Sequence, residues 1–329
     1  MFKLIQNKIT LINFVFLICA FCSHAQTTLT ANSFILDQFK EMRNISYGNI
    51  VVDDMDGDGK KDIVASGNDT VSIFLNVSTN NILSFTDRIN FYTGTMFGGG
   101  CVSSADFDGD GKQDIIVTNY YFSKISFLRN TSLPGNLSFA PKVDLISNAH
   151  PGFIITGDLN ADGKPDIIVS NKDDSSVSGY KNTSSGVVIS FEPKVDFRTS
   201  KYPAGISIAD VDGDDKPDLV VADDSVNISI LRNISTGASI LFDTRFELQK
   251  EYSPVTNVVT GYLDADGKPD IVVNNYNSKT ISTFRNTSST GSISFETKVD
   301  HLVQNTTGLT TFNLSIGDAD ADGKTDVFV

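Results

Sequence analysis

The residues best placed to do chemistry are acids set at alternate positions. Asp54, Asp56, Asp58 and Asp62 fall at positions 1, 3, 5 and 9 of a nine-residue stretch, with Gly59 at position 6 and Lys60 at position 7. The pattern returns as Asp106, Asp108, Asp110, Lys112 and Asp114, and again as Asp158, Asn160, Asp162, Lys164 and Asp166. Asp210, Asp212, Asp214, Lys216 and Asp218 form a fourth copy, Asp264, Asp266, Lys268 and Asp270 a fifth, and Asp318, Asp320, Asp322, Lys324 and Asp326 a sixth. Side-chain oxygens at 1, 3 and 5, a backbone carbonyl at 7 and a carboxylate at 9 suit a hard cation that takes six to eight oxygen ligands, so the expected cofactor is Ca2+. Without it, carboxylates a few ångströms apart repel by about 1 kcal/mol per pair even in water. The lysine is expected to ligate through its carbonyl while its ammonium points to solvent. Position 6 needs a positive φ, which glycine supplies; Asp215 stands there in the fourth copy at some strain. Tyr262 takes position 1 of the fifth, so that site is expected to be weak or empty.

An EF-hand opens in the same way but requires a Glu at position 12 and flanking helices. Position 12 here is Ala65, Val117, Val169, Val221, Val273 and Val329, each continuing an apolar strand pattern. The six copies start at residues 54, 106, 158, 210, 262 and 318, a period of 52 broken by one 56. Between them apolar residues alternate or run in short blocks bounded by Asn, Asp, Ser and Gly, which predicts strands. In the fourth repeat the strands are read at 205–209, 218–222, 226–232 and 240–248. Four short antiparallel strands per repeat predict an all-β fold, a β-propeller of four-stranded blades with repeats starting near 46, 98, 150, 202, 254 and 310. Phe34, Phe85, Phe139, Phe191, Phe242 and Phe295 recur near the start of the fourth strand and are expected to pack between blades. Residues 33–42 look like a fourth strand that precedes the first acidic loop, and the sixth repeat stops after its second strand. An incomplete last repeat, a truncated C-terminus and an intact ring of six or seven blades are therefore expected.

Residues 1–25 read as a signal peptide: Lys3 and Lys8, an apolar stretch from Ile9 to Phe21, then small residues before Gln26. The apolar stretch is too short to span a bilayer, so the mature chain, 26–329, is expected to have no membrane span and to be secreted or at the cell surface. Cleavage would leave Cys101 as the one thiol, read as buried and inert. With 26 basic residues against 40 acidic ones, a net charge of −14, nucleic acid is not an expected partner.

The segments Gly152 to Asp158 and Asp166 to Val169, with their counterparts, resemble FG-GAP/VCBS repeats, the blades of integrin α-chain propellers. The resemblance covers 33–329. It implies an extracellular calcium-binding propeller serving adhesion, matrix or carbohydrate recognition, with Asp54, Asp56, Asp58, Asp62 and their equivalents as calcium ligands.

Antiparallel order puts the acidic loops and the turns between third and fourth strands on one face, and the remaining connections on the other. Tyr47, Tyr92, Tyr120, Tyr121, Tyr202, Tyr252 and Tyr276 fall in or beside the latter, with His150 one period before Tyr202. Tyrosine gives rigid amphipathic contact area. Tyr92, Tyr120, Tyr121, His150, Tyr202, Tyr252 and Tyr276 are therefore candidate ligand-binding residues for an extracellular protein or glycan, on a chain expected to be monomeric. Ordinary loop aromatics are the plainer reading. Two His and one Cys in the mature chain leave little for nucleophilic catalysis, so no enzyme activity is expected. The alternative is the propeller portion of a secreted polysaccharide lyase or hydrolase with its catalytic residues on another domain. Asn-X-Ser/Thr sequons at Asn76, Asn130, Asn182, Asn233 and Asn286 recur after the third strand, and turn chemistry accounts for them.

Overall fold

Hydrophobic alternation of period two becomes strands almost everywhere. The computed structural model describes residues 49–328 apart from 68, 80–81, 95–99, 224–226, 250–256, 265, 276, 304–313 and 319–324. The signal-peptide segment, the early strand with Phe34, and Tyr47, Tyr252, Tyr276, Asp320, Asp322 and Lys324 lie outside the described residues. Two compact units form, 49–156 with 183–190, and 157–182 with 191–328.

The first blade is β1 (Ile50–Asp53), β2 (Asp62–Ser66), β3 (Thr70–Phe74) and β4 (Ile89–Tyr92). The second is β5 (Val102–Ala105), β6 (Asp114–Asn119), β7 (Lys124–Leu128) and β8 (Val143–Ile146). The third follows with β9 (Pro151–Gly157), β10 (Asp166–Asn171), β11 (Ser176–Tyr180) and β12 (Val195–Arg198). The fourth is β13 (Pro203–Ala209), β14 (Asp218–Asp223), β15 (Asn227–Leu231) and β16 (Phe246–Gln249). The fifth is β17 (Val258–Gly261), β18 (Asp270–Asn275), β19 (Thr280–Phe284) and β20 (Val299–Leu302), followed by β21 (Ser315–Gly317) and β22 (Asp326–Phe328). Five sheets hold four strands in chain order, and the sixth, among the described residues, holds two. The protein is an all-β propeller of antiparallel blades, as the repeat predicts.

Burial explains why the middle of the second strand is an unbroken apolar run in the first five blades. β6, β10, β14 and β18 are buried at every residue, so their central residues are apolar on both faces, while the aspartate that opens each strand and the polar residues that close it are buried as well. The fourth strands β8, β12 and β20 are largely exposed and mix Asp with apolar residues. Within the first unit, Met55, Val64, Val71 and Ile73 of the first blade pack against Val102, Ile115, Val117 and Leu128 of the second. Within the other, Val211, Val220, Ile228 and Ile230 pack against Val258, Ile271, Val273 and Phe284. First strands of successive blades also meet, β1 with β5 and β13 with β17. Gly205 sits at such an approach: a Cβ there would lie 2.9 Å from Asn257 Cα, so a side chain would force the strands apart.

The recurrent phenylalanines require a correction. Phe85, Phe139, Phe191, Phe242 and Phe295 do not begin the fourth strand; each makes a single bridge to a sequon asparagine, and the strand proper starts a few residues later. Their packing role stands: Phe139 meets Phe91 of the first blade edge to face at 4.7 Å, and Phe242 meets Phe197 at 4.9 Å.

Candidate functional site

Each acidic loop is the hairpin between the first two strands of a blade, pinned where the last residue of the first strand faces the position-9 aspartate. Asp53 pairs with Asp62, Ala105 with Asp114, Ala209 with Asp218 and Gly261 with Asp270. The position-1 carboxylate then winds the loop around itself. Asp54 Oδ1 accepts the N–H of Gly57 (2.7 Å) and Oδ2 that of Gly59 (2.8 Å). Asp106 and Asp210 accept three such bonds each. Position 5 accepts the N–H of position 7 at 2.9–3.1 Å in five copies. Position 6 has the expected positive φ, from Gly59 at 86° to Asp215 at 65°. Position 4 has it as well, at Gly57, Gly109, Ala161 and Gly213, a requirement the sequence reading missed.

Position 9 is the buried hub. Asp62, Asp114, Asp166, Asp218 and Asp270 are at most 2% exposed. Each accepts one N–H from position 2 of its own loop and one from a sequon asparagine. Burial outweighs those bonds and raises the carboxyl to about 6 in Asp62, Asp166 and Asp218 and to about 7 in Asp114. Asp270 is raised for the same reason. Asp56 and Asp214 are also raised, by burial first and then by the neighbouring acids Asp58 and Asp212 respectively.

Among the described residues, three loops hold three carboxylates with oxygens within 4.8 Å of one another: Asp54, Asp56 and Asp58; Asp106, Asp108 and Asp114; Asp210, Asp212 and Asp218. Asp212 is 2% exposed, and its Oδ1 has no hydrogen-bond partner. A buried acceptor orphaned within a set of hard oxygen donors is what a Ca2+ ligand set presents before it binds. The residues therefore fit the metal.

The copies differ in their counter-charge. Arg129 Nε bonds Asp108 and its Nη2 bonds Asp110 at 2.9 Å; Arg232 Nε lies 3.0 Å from Asp212 Oδ2. Lys181 stands at this place in the third blade, 4.0 Å from Asp162, and Leu75 in the first. In the third loop Asn160 gives its amide to Asp162 Oδ2 (3.0 Å) and Gly237 O (3.1 Å). In the fifth, Tyr262 is exposed and Arg285 bridges Asp264 and Asp266. Burial raises the Asp264 carboxyl, but the Asp266 N–H and Arg285 overcome this and hold it below the usual range. The expectation that the position-7 ammonium points to water fails where a partner is near. Lys60 Nζ lies 3.0 Å from Asp58 Oδ2, and Lys268 Nζ bonds Ser288 O at 2.6 Å.

The sequon asparagines are the site residues that the sequence reading undervalued. Asn76, Asn130, Asn182, Asn233 and Asn286 are at most 5% exposed, and the side-chain amide of each bonds the carbonyl just before its blade's position-9 aspartate. Their recurrence in step with the acidic loops was the available signal.

The described candidate recognition residues lie at the other end of the blades. Tyr120 stacks on His150 with ring centroids 4.5 Å apart, and Tyr121 meets Tyr120 edge-on at 5.1 Å. The connection after β6 and the connection before β9 thus share a face, as the strand order requires. Tyr121 is 58% exposed, and Phe122 beside it, which the sequence reading passed over, is exposed as well. Tyr92 and Tyr202 are exposed but stand outside this three-ring group. His150 and Tyr202 both hold positive φ, at 55° and 57°, immediately before a proline. Cys101 is no nucleophile candidate, because burial pushes its thiol up to about 12.

A family profile for the FG-GAP-like repeat matches residues 54–117, 106–169, 158–221 and 262–329. This chain belongs to the FG-GAP-like repeat family. No curated protein matches it. Among solved structures, a virginiamycin B lyase from Staphylococcus aureus superposes with a TM-score of 0.51 at 13% identity, covering 82% of this chain and 74% of that one. A lectin from Agrocybe aegerita, described in its recognition of non-reducing terminal N-acetylglucosamine, superposes with a TM-score of 0.52 at 20% identity. That match covers 77% of this chain and 65% of the lectin's, and like the lyase match it establishes a shared fold only. Among the described residues no helix is long and apolar enough to cross a membrane.

Proposed function

We propose that this FG-GAP repeat chain is a secreted or cell-surface, calcium-stabilised recognition module, non-catalytic and monomeric, whose aromatic group binds an extracellular protein or glycan. One observation carries the reading. Strand β6 is buried along its whole length, begins with the loop aspartate Asp114 and is followed directly by Tyr120. A rigid strand thus joins an acidic cluster at one end to a partly exposed group of rings at the other.

Asp54, Asp56 and Asp58, Asp106, Asp108 and Asp114, and Asp210, Asp212 and Asp218 would hold the metals. Ca2+ bound there would neutralise the crowded carboxylates and take their oxygens as ligands, which would hold the loop closed. The chain itself orients the position-1 and position-9 carboxylates through backbone N–H groups, and it holds the rings in place through Tyr120–His150 stacking. His301, on the outer strand β20, shares a 3.1 Å hydrogen bond with Thr283 of β19, and desolvation pushes the Cys101 thiol up to about 12, so neither is offered as a catalytic group.

The test pairs two measurements. Thermal melting in millimolar calcium should exceed that in chelator by several degrees. Binding to a glycan array, with terminal N-acetylglucosamine as the first probe, should weaken about tenfold in Tyr120→Ala/Tyr121→Ala, as for aromatic anchors generally. Equal melting temperatures, or a double variant that binds as well as wild type, would defeat the corresponding half.

A further inference from the structure

The position-2 residues Met55, Leu159 and Val211 of the acidic loops face two ways. The N–H of each bonds its own position-9 aspartate: Leu159 to Asp166 (3.1 Å), Val211 to Asp218 (2.9 Å). The carbonyl of each accepts the side-chain amide of the next blade's asparagine: Asn233 Nδ2 to Leu159 O (2.8 Å), Asn286 Nδ2 to Val211 O (2.9 Å). Those asparagines then give their backbone N–H to their own position-9 aspartates, Asn233 to Asp218 (2.7 Å) and Asn286 to Asp270 (2.8 Å). The result is an unbroken path of buried hydrogen bonds from the third loop through the fourth to the fifth. The other unit repeats it from Asp62 through Met55 and Asn130 to Asp114. The next blade also reaches back: Gly291 gives its N–H to Asp212 Oδ2 at 2.9 Å, on the same carboxylate whose Oδ1 has no partner.

We infer that Asn130, Asn233 and Asn286 are positioning residues for the acidic loops, and that Asn130 couples cation binding in the first loop to that in the second. This rests on the calcium reading above. A loop that closes on its ion fixes the position-9 aspartate and therefore the position-2 residue. That residue then presents a fixed acceptor to the next asparagine, whose backbone holds the next aspartate. The second loop has less disorder to lose, so its ion binds more tightly with no change of fold. The same asparagine side chains leave no amide hydrogen over, since Asn130, Asn233 and Asn286 each bond two carbonyls.

Native mass spectrometry of the whole chain at half-saturating calcium, with calorimetric titration, tests this. Wild type should show more empty and more multiply loaded ions than independent sites would give. Asn130→Ala cuts the path between the first and second loops without touching a carboxylate; it should return the distribution to that of independent sites and weaken binding at least about fivefold, the lower end of usual site-to-site coupling. Asp54→Asn should remove one ion and weaken the second loop's site as well. A folded Asn130→Ala with the wild-type distribution overturns the inference. If that variant does not fold, an Asp54→Asn that loses one ion and leaves the second loop's affinity unchanged overturns it instead. A wild type that takes up no calcium is a separate outcome, which defeats the calcium reading and the coupling with it.

Discussion

The position-9 aspartates set the pH behaviour of the molecule. Their folded pKa values are raised by burial, to about 6 in Asp62, Asp166 and Asp218 and about 7 in Asp114. A raised carboxyl stabilises the fold below the ordinary carboxylate range and loses that contribution as pH rises through the folded value. Metal-free protein should therefore melt higher at pH 5 than at pH 7.5. A cation needs the ionised form, so the calcium-induced gain should run the opposite way, largest above pH 7 and shrinking through pH 6. Each titrating carboxylate weakens the metal up to about tenfold per unit. Melting curves of demetallated and calcium-loaded protein across this range would show the two trends crossing. Arg129 makes a second prediction, because its guanidinium lies on two loop carboxylates, one of which, Asp108, belongs to the set that would hold the cation. Arg129→Leu, which places in the second blade the residue that Leu75 is in the first, should lower the melting temperature in chelator and increase the gain on adding calcium. Unchanged values in both conditions would show that the arginine neither substitutes for the ion nor competes with it.

At the level of elements, the hairpins show what the sequence could and could not disclose. The strand pattern, the loop positions and the shared face of Tyr120 and His150 were legible, because period-two alternation and glycine placement follow from local backbone physics. The fourth strand was misplaced, because Phe242 bridges Asn233 before the strand begins, and a single bridge leaves no periodic mark. The buried asparagines looked like turn residues because Asn-X-Ser is ordinary turn chemistry. Their partners lie as far as 75 residues away, at Met55 for Asn130 and Val211 for Asn286, and so leave no local signature. Burial also makes a prediction about modification. A sequon whose amide is buried and bonded to two carbonyls cannot carry a sugar in the folded state. Peptide mapping of protein secreted from a glycosylating host should find Asn130, Asn233 and Asn286 unmodified. A glycan on any of them in soluble, folded material would show that the hairpin hydrogen bonds are not those described.

For the whole molecule the balance of charge decides how it responds to salt. The net charge of −14 arises largely from acids gathered in a few loops rather than spread over the surface. In the second, fourth and fifth blades an arginine already offsets part of this, while the first relies on Lys60 and Lys61 beside its loop. Repulsion within a loop acts over distances shorter than the screening length of about 10 Å at 0.1 M salt, and that length falls to about 3 Å at 1 M. Raising sodium chloride from 0.05 M to 1 M should therefore raise the melting temperature of metal-free protein by a few degrees, at ~2–4 °C per kcal/mol for a domain of this size. With calcium bound, the loop charges are compensated at contact distance, where salt screens least, and the same change should move the melting temperature little. A salt response equally large in both states would mean that the repulsion lies outside the loops, in the exposed acids of the outer strands such as Asp196 and Asp300.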